Sequence, residues 1–242
     1  MTEQPPLREG RRADELRPIR LTPGYNRYAE GSALIEWGGT TVLATVTIDN
    51  RLPPHLRGRG ARTGWLTAEY ALLPRSTQER SQRERLYAGG RTQEIQRLIG
   101  RALRSVVDLS MFRGRTLIVD VDVLQADGGT RCAGITAGYA ALHHAASRLV
   151  FDGTLSEWPL RHELGAVSVG IVGGTPYVDL QYSEDAQAEV DLNVIATSAG
   201  EVVEVQGGGE DRPIAAETFV TLVANGVTAV QRLLEIVRPQ LT

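Results

Sequence analysis

ALIEWGGTTVLATVTI (33–48) decides the fold class. Two apolar, β-branched runs flank Gly38-Gly39. A Gly-Gly pair between such runs signals a hairpin, because both residues accept positive φ. AVSVGIVGGTPYVDLQYS (166–183) repeats the pattern around Gly173-Gly174. Both hairpins are followed by strands and a long helix. The pattern predicts an α+β unit used twice in one body, with halves of roughly 1–150 and 151–242.

The rest of the chain fills in around the hairpins. TGWLTAEYALL (63–73), TLIVDVDVLQ (116–125), AEVDLNVIAT (188–197) and EVVEVQ (201–206) read as strands. GGRTQEIQRLIGRALRSVVDL (89–109) reads as a helix, because Ile95, Leu98, Ile99, Ala102, Leu103 and Val106 keep the 3.6-residue period. Arg97, Arg101 and Arg104 share another face of it. Further helices are expected over about 131–149 and 213–238. Residues 1–30, with Pro5, Pro6, Pro18 and Pro23, read as an extended arm. Residues 74–90 show no apolar period and are expected to be mobile.

Composition excludes several classes. At roughly 150 residues per domain, 242 residues make one or two domains. The single cysteine, Cys132, excludes an internal disulfide and a multi-Cys zinc site. It is expected to be a small buried residue, and His143 and His144 to be structural. No apolar run nears the ~20 residues of a membrane span, and the charged N-terminus has no apolar leader core. A cytoplasmic protein with no membrane partner is expected. There is no GxxxxGKS, HExxH or GxSxG motif.

The net charge of -3 hides an asymmetry. Residues 51–104 hold 12 Arg against four acids, and the chain has no Lys. From Glu163 to Asp211 there are ten acids and no Arg. An arginine block suits a polyanion and a carboxylate block a divalent cation, whereas two solvated faces would need no function.

Three segments could carry chemistry. DGGTR (127–131) leads from a strand into a helix, where free N–H groups, the helix dipole, the Thr130 hydroxyl and Arg131 make an anion site. Its other reading is a turn with Thr130 as helix cap. GGRT (89–92) repeats the logic with Arg91, and the two could converge on one phosphate. In SEDAQAEVDLN (183–193), Asp191 falls on a polar strand face with Asp185 just before it, an arrangement suited to Mg²⁺. An acidic edge strand is the other reading.

AEYALLPRST, GGRTQEIQRLIGRALR, DVDVLQADGGTR, AEVDLN and EVVEVQG, in this order and at these spacings, closely resemble the bacterial ribonuclease PH family. The resemblance runs from residue 8 to the final helix. It implies a single family domain over 1–242 with a duplicated fold of the ribosomal-protein-S5-domain-2-like kind, mixed sheets packed with helices. It implies a homo-hexamer, a trimer of dimers. It implies phosphorolysis of RNA 3′ ends, chiefly of transfer-RNA precursors and also of other structured RNAs, and no action on DNA. Inorganic phosphate is then co-substrate, held by Arg91, Gly129, Thr130 and Arg131. Asp185 and Asp191 carry Mg²⁺ and the catalytic role, or Asp185 protonates the departing oxygen. Arg75, Arg80, Arg83 and Arg85 guide RNA.

The chain departs from the family pattern at Glu9, where Asp is usual, and at Cys132, where Thr is usual. VQGGGED stands where VQGTAEG is usual, which removes a hydroxyl near Gly208. None of these changes is expected to touch the phosphate or metal residues. The competing reading is a non-catalytic RNA-binding subunit of an exosome-like ring, which would be expected to lack the phosphate arginines or the carboxylates.

Overall fold

The structure, a computed structural model, describes residue 8 and residues 10–56, 62–83, 88–210 and 213–241. The hairpin of 33–48 becomes β2 (Gly31–Trp37) and β3 (Thr40–Asp49), with Ala33 opposite Ala44 and Ile35 opposite Val42. With β1 (Ile19–Pro23), β4 (Trp65–Leu72) and β5 (Thr116–Gln125) they form a sheet of order β1-β2-β3-β5-β4. Only β4 and β5 pair in parallel, and the crossover that this requires is helix α1 (Gly90–Val106).

The second hairpin becomes β6 (Leu164–Val172) and β7 (Thr175–Val178). With β8 (Val190–Thr197) and β9 (Val202–Gly209) it forms a sheet of order β7-β6-β8-β9. All three of its pairings are antiparallel, so only the first sheet is mixed.

Helix α2 (Thr130–Phe151) lies between the sheets, against β2, β3 and β5 on one side and β6 and β8 on the other. Every residue from Cys132 to Leu142 is buried. A helix covered on both sides has no polar face to show, so its apolar residues lack one-sided periodicity. Its small side chains (Ala133, Gly134, Ala137, Gly138, Ala140, Ala141) let two sheets approach a single helix. Cys132 is buried here, and burial pushes its thiol pKa up. His143 meets the Trp158 ring edge-on at 4.9 Å, and His144 Nδ1 accepts the Ser32 N–H.

Helix α4 (Ala216–Val237) covers the outer face of the second sheet. The segment Ala216–Gln240 is long and apolar enough to cross a membrane by length and composition, which the search for apolar runs missed. Its buried residues Leu222, Gly226, Ala229, Val230, Leu233, Leu234 and Val237 form one stripe that packs on β6 and β8. That period belongs to a helix on a sheet rather than to one surrounded by lipid.

The N-terminal segment is not an extended arm. Ile19–Pro23 is an edge strand, and Arg8 and Arg17 are each 6% exposed. Arg8 Nε lies 2.6 Å from Glu184, and Arg17 Nη2 lies 2.7 Å from Asp179. Partners more than 160 residues away leave no local pattern, so prolines and charge were read as solvent exposure. Within 74–90, no helix or strand precedes α1 among the described residues.

Gly226 is where α4 touches β8. A Cβ there would lie 2.6 Å from Val194 Cγ2. Alanine is ordinarily the better helix former by about 1 kcal/mol. Here Gly226→Ala is expected to reverse that sign and destabilise by ~1–3 kcal/mol through overpacking. Urea unfolding measures it.

Candidate active site: a cleft between two helix N-termini and an acidic strand

A cleft of about 620 Å³ opens where the two sheets and the central helices meet. Arg91 and Glu94 line it from α1, Arg131 from α2, Asp185 to Ala188 from the loop before β8, and Asp191 and Asn193 from β8 itself. Gln206 and Gly207 from β9 and Glu210 just beyond it close the cleft. The two glycine-rich helix entries and the carboxylate segment therefore converge. Gly129 and Thr130 form the turn leading to Arg131 rather than lining the cleft.

The turn is built for an anion. Gly128 and Gly129 take φ of 79° and 68°, which L side chains rarely adopt. Neither Gly89 nor Gly129 caps its helix with a side chain, so the first N–H groups of α1 and α2 lack that partner. Thr130 is not the cap. It is the first helical residue, and its Oγ1 accepts the Tyr70 hydroxyl at 3.0 Å. Tyr70 is buried on β4, so it is unsuited to stacking an RNA base and instead fixes the rotamer of Thr130.

The acidic strand is not an edge. β8 lies between β6 and β9, with Asp191 opposite Gly170 on one side and Gly208 on the other. A Cβ on Gly208 would meet nothing within 4 Å, so the strand is open on that side, whereas Leu180 fills the space beside Gly170. Gly208 thus sits beside a proposed metal residue, contrary to the expectation that the family departures avoid the site. Cys132 is close as well, its thiol donating to Asn193 Oδ1 at 3.1 Å. Glu9 lies outside the described residues.

Burial and neighbouring charges set the electrostatics of the cleft. Burial, and then the charge of Asp185, push Asp191 up to about 7. Burial also raises Asp185, against the pull of Arg131 and Arg91. Arg131 Nε, Asp191 Oδ1 and Gln206 Oε1 are buried and make no hydrogen bond among the described residues. Unpartnered buried polar atoms are costly and rare. Here a donor and two acceptors collect in one cleft. Arg131 Nη2 lies 3.4 Å from Glu94, which also accepts the Gln206 amide. A divalent cation fits this donor set, because it would allow both neighbouring carboxylates to ionise.

The arginine block divides. Arg101 pairs with Glu204 at 2.7 Å, and Arg104 stacks on Trp65 and donates to the Leu66 carbonyl, so both hold α1 in place. Arg75, Arg80 and Arg83 are exposed and do not line the cleft. Arg85 lies outside the described residues. Glu94, Asn193, Gln206 and Tyr70 escaped notice as site residues. All four stand inside quoted segments, Glu94 in GGRTQEIQRLIGRALR, Asn193 in AEVDLN, Gln206 in EVVEVQG and Tyr70 in AEYALLPRST, but only packing brings them to the site.

Comparison with known proteins agrees with this geometry. Residues 15–147 match domain 1 of the 3′ exoribonuclease family, and residues 162–229 match domain 2. Ribonuclease PH of Deinococcus radiodurans is 53% identical over 98% of this chain and 95% of its own length. Ribonuclease PH of Neisseria meningitidis is 48% identical over 95% of each. Among solved structures, a chain of the Archaeoglobus fulgidus exosome with RNA bound to the active site superposes with TM-score 0.78 at 26% identity. That match covers 94% of this chain and 91% of the other. The two halves of the fold, the cleft between them and these relatives lead to one assignment: the chain belongs to the 3′ exoribonuclease family, in its ribonuclease PH branch.

Proposed function

We propose that the cleft lined by Arg91, Arg131, Asp185 and Asp191 is where RNA is phosphorolysed. The chain is a phosphate-dependent 3′→5′ exoribonuclease that trims transfer-RNA precursors. An oxygen of hydrogen phosphate attacks the last phosphodiester. The bond from phosphorus to the 3′-oxygen breaks and a nucleoside 5′-diphosphate departs. The proton of the attacking phosphate ends on the freed 3′-hydroxyl. The reverse step adds a nucleotide.

The observation that carries the site is the pairing of unpartnered atoms. The Arg131 Nε–H has no acceptor and Asp191 Oδ1 no donor among the described residues, in one cleft. Attacking phosphate and scissile phosphodiester are both anions and must be held about 3–3.5 Å apart. Arg91 and Arg131 offset that repulsion and orient the nucleophile. The Gly129 N–H and the Thr130 hydroxyl add fixed donors. Mg²⁺ is the proposed metal, held by Asp185 and Asp191, and when bound it neutralises charge on phosphate oxygens. Arg75, Arg80 and Arg83 are the proposed RNA guides, and a homo-hexamer, a trimer of dimers, the proposed assembly. Light scattering at six times the 26.3 kDa chain mass checks the assembly.

Arg131→Gln is expected to raise the phosphate KM at least tenfold while RNA affinity changes less than threefold. Equal losses on both would make Arg131 a general RNA contact. Asp191→Asn is expected to lower turnover by a hundredfold or more and to raise Tm. The sign follows from linkage. A carboxyl whose folded-state pKa is raised loses stability as pH climbs from its unfolded value toward its folded one. In chelator, the Tm gain of Asp191→Asn should therefore be absent near pH 4, grow through pH 7 and then level off. A Tm loss at pH 8 would place Asp191 in the structure rather than the chemistry.

A further inference from the structure

The turn that presents the phosphate donors is itself gripped, and the grip comes from two residues outside the cleft. Thr40, fully buried at the start of β3, accepts the Asp127 N–H at 2.9 Å and donates to the Gly128 carbonyl at 2.7 Å. Arg17 Nη1 donates to the Asp127 carbonyl at 2.6 Å, and Nη2 reaches the Gly128 carbonyl at 3.4 Å. Both backbone polar groups of Asp127 and the carbonyl of Gly128 are thereby fixed, one residue before Gly129 opens α2.

Arg17 also faces the other wall. Its Nε and Nη2 bond Asp179, whose carboxylate additionally accepts the Arg17 and Trp37 N–H groups and Arg11 Nη1. Asp179 is 1% exposed and is the one non-glycine residue at positive φ (57°) among the described residues. Burial alone would raise its pKa, but Arg17 holds it below the ordinary value. Leu180 and Gln181 follow, and then helix α3 (Tyr182–Asp185), whose Tyr182 N–H returns to the same Asp127 carbonyl at 3.2 Å. A Cβ on Gly128 would lie 2.7 Å from the Leu180 carbonyl, so the two backbones are in contact.

We infer that Thr40 and the Arg17–Asp179 pair are positioning residues for phosphorolysis: they set the distance between the phosphate-binding turn and Asp185, the carboxylate that ends α3. None of the three lines the cleft. Arg17 bridges the two halves through one planar guanidinium, which an ammonium could not reproduce. A catalytic constellation tolerates displacements of only about 0.5 Å, so a loosened turn lowers phosphate use before it unfolds the protein. The inference rests on the phosphorolytic reading of the cleft.

Thr40→Val tests it, because valine keeps the shape and removes both hydrogen bonds. Steady-state kinetics would vary phosphate and RNA separately, and Tm would be read with and without inorganic phosphate. The expected result is a phosphate KM raised about tenfold, an RNA KM within twofold of the parent, and a smaller phosphate-induced Tm rise. Thr40→Ser, which keeps the hydroxyl, should restore the phosphate KM. Arg17→Lys, read the same way, should also raise the phosphate KM without changing the RNA KM. A fall in Tm with unchanged phosphate KM in both Thr40→Val and Arg17→Lys would reduce the clamp to a structural feature and overturn the inference. So would Thr40→Ser behaving like Thr40→Val. If the parent itself shows no saturable dependence on phosphate, the reading of the cleft fails first, and the parent assay shows this without any variant.

Discussion

The burial of α2 on both sides is the constraint from which the rest of the molecule follows. A helix wedged between two sheets must be narrow, and the alanines and glycines from Ala133 to Ala141 make it so. It must also be aimed. With β5 ending at Gln125 and α2 beginning at Thr130, the short turn between them places the helix N-terminus at the mouth of the gap between the sheets. The same gap receives the N-terminus of α1 and the polar face of β8. Positive helix ends and carboxylates thus face each other because of how one helix is packed.

The charges sort into two kinds of work. Arg8, Arg11 and Arg17 meet Asp179 and Glu184 in a buried network that ties the start of the chain to its second half. Arg101 and Arg104 fasten α1. Arg91, Arg131, Asp185 and Asp191 remain in the cleft, where burial raises both carboxyl pKa values and the charge of Asp185 raises Asp191 further. Removing one partner of a buried network is costly because it strands the other.

Much of this was legible in local pattern. The hairpins at Gly38-Gly39 and Gly173-Gly174, the stripe on α1 and the alternation along β5 depend on neighbours in sequence, and the structure has them. Even there a detail differed, since only Gly38 of the first pair adopts positive φ. What stayed hidden was long-range. β1 was read as part of an extended arm because its five residues, IRLTP, give little apolar pattern, although it pairs with the next strand, β2. Tyr70 gives no local signal because its partner, Thr130, is 60 residues away. Thr40 and Arg17 gave no local signal, since their partners lie 87 to 162 residues away. The site residues themselves came from a resemblance spread over five segments. Residue chemistry alone favours ordinary turns and an acidic edge, whereas β8 is internal.

The chemistry of the released nucleotide tests the central claim most directly. A short RNA with a 3′ extension would be incubated with the protein and Mg²⁺, with phosphate either present or rigorously removed, and the product identified by mass. Nucleoside 5′-diphosphates formed only in the presence of phosphate are expected, because the arginine-lined cleft holds phosphate as the nucleophile. Nucleoside monophosphates released whether or not phosphate is present would make water the nucleophile and contradict the assignment of Arg91 and Arg131.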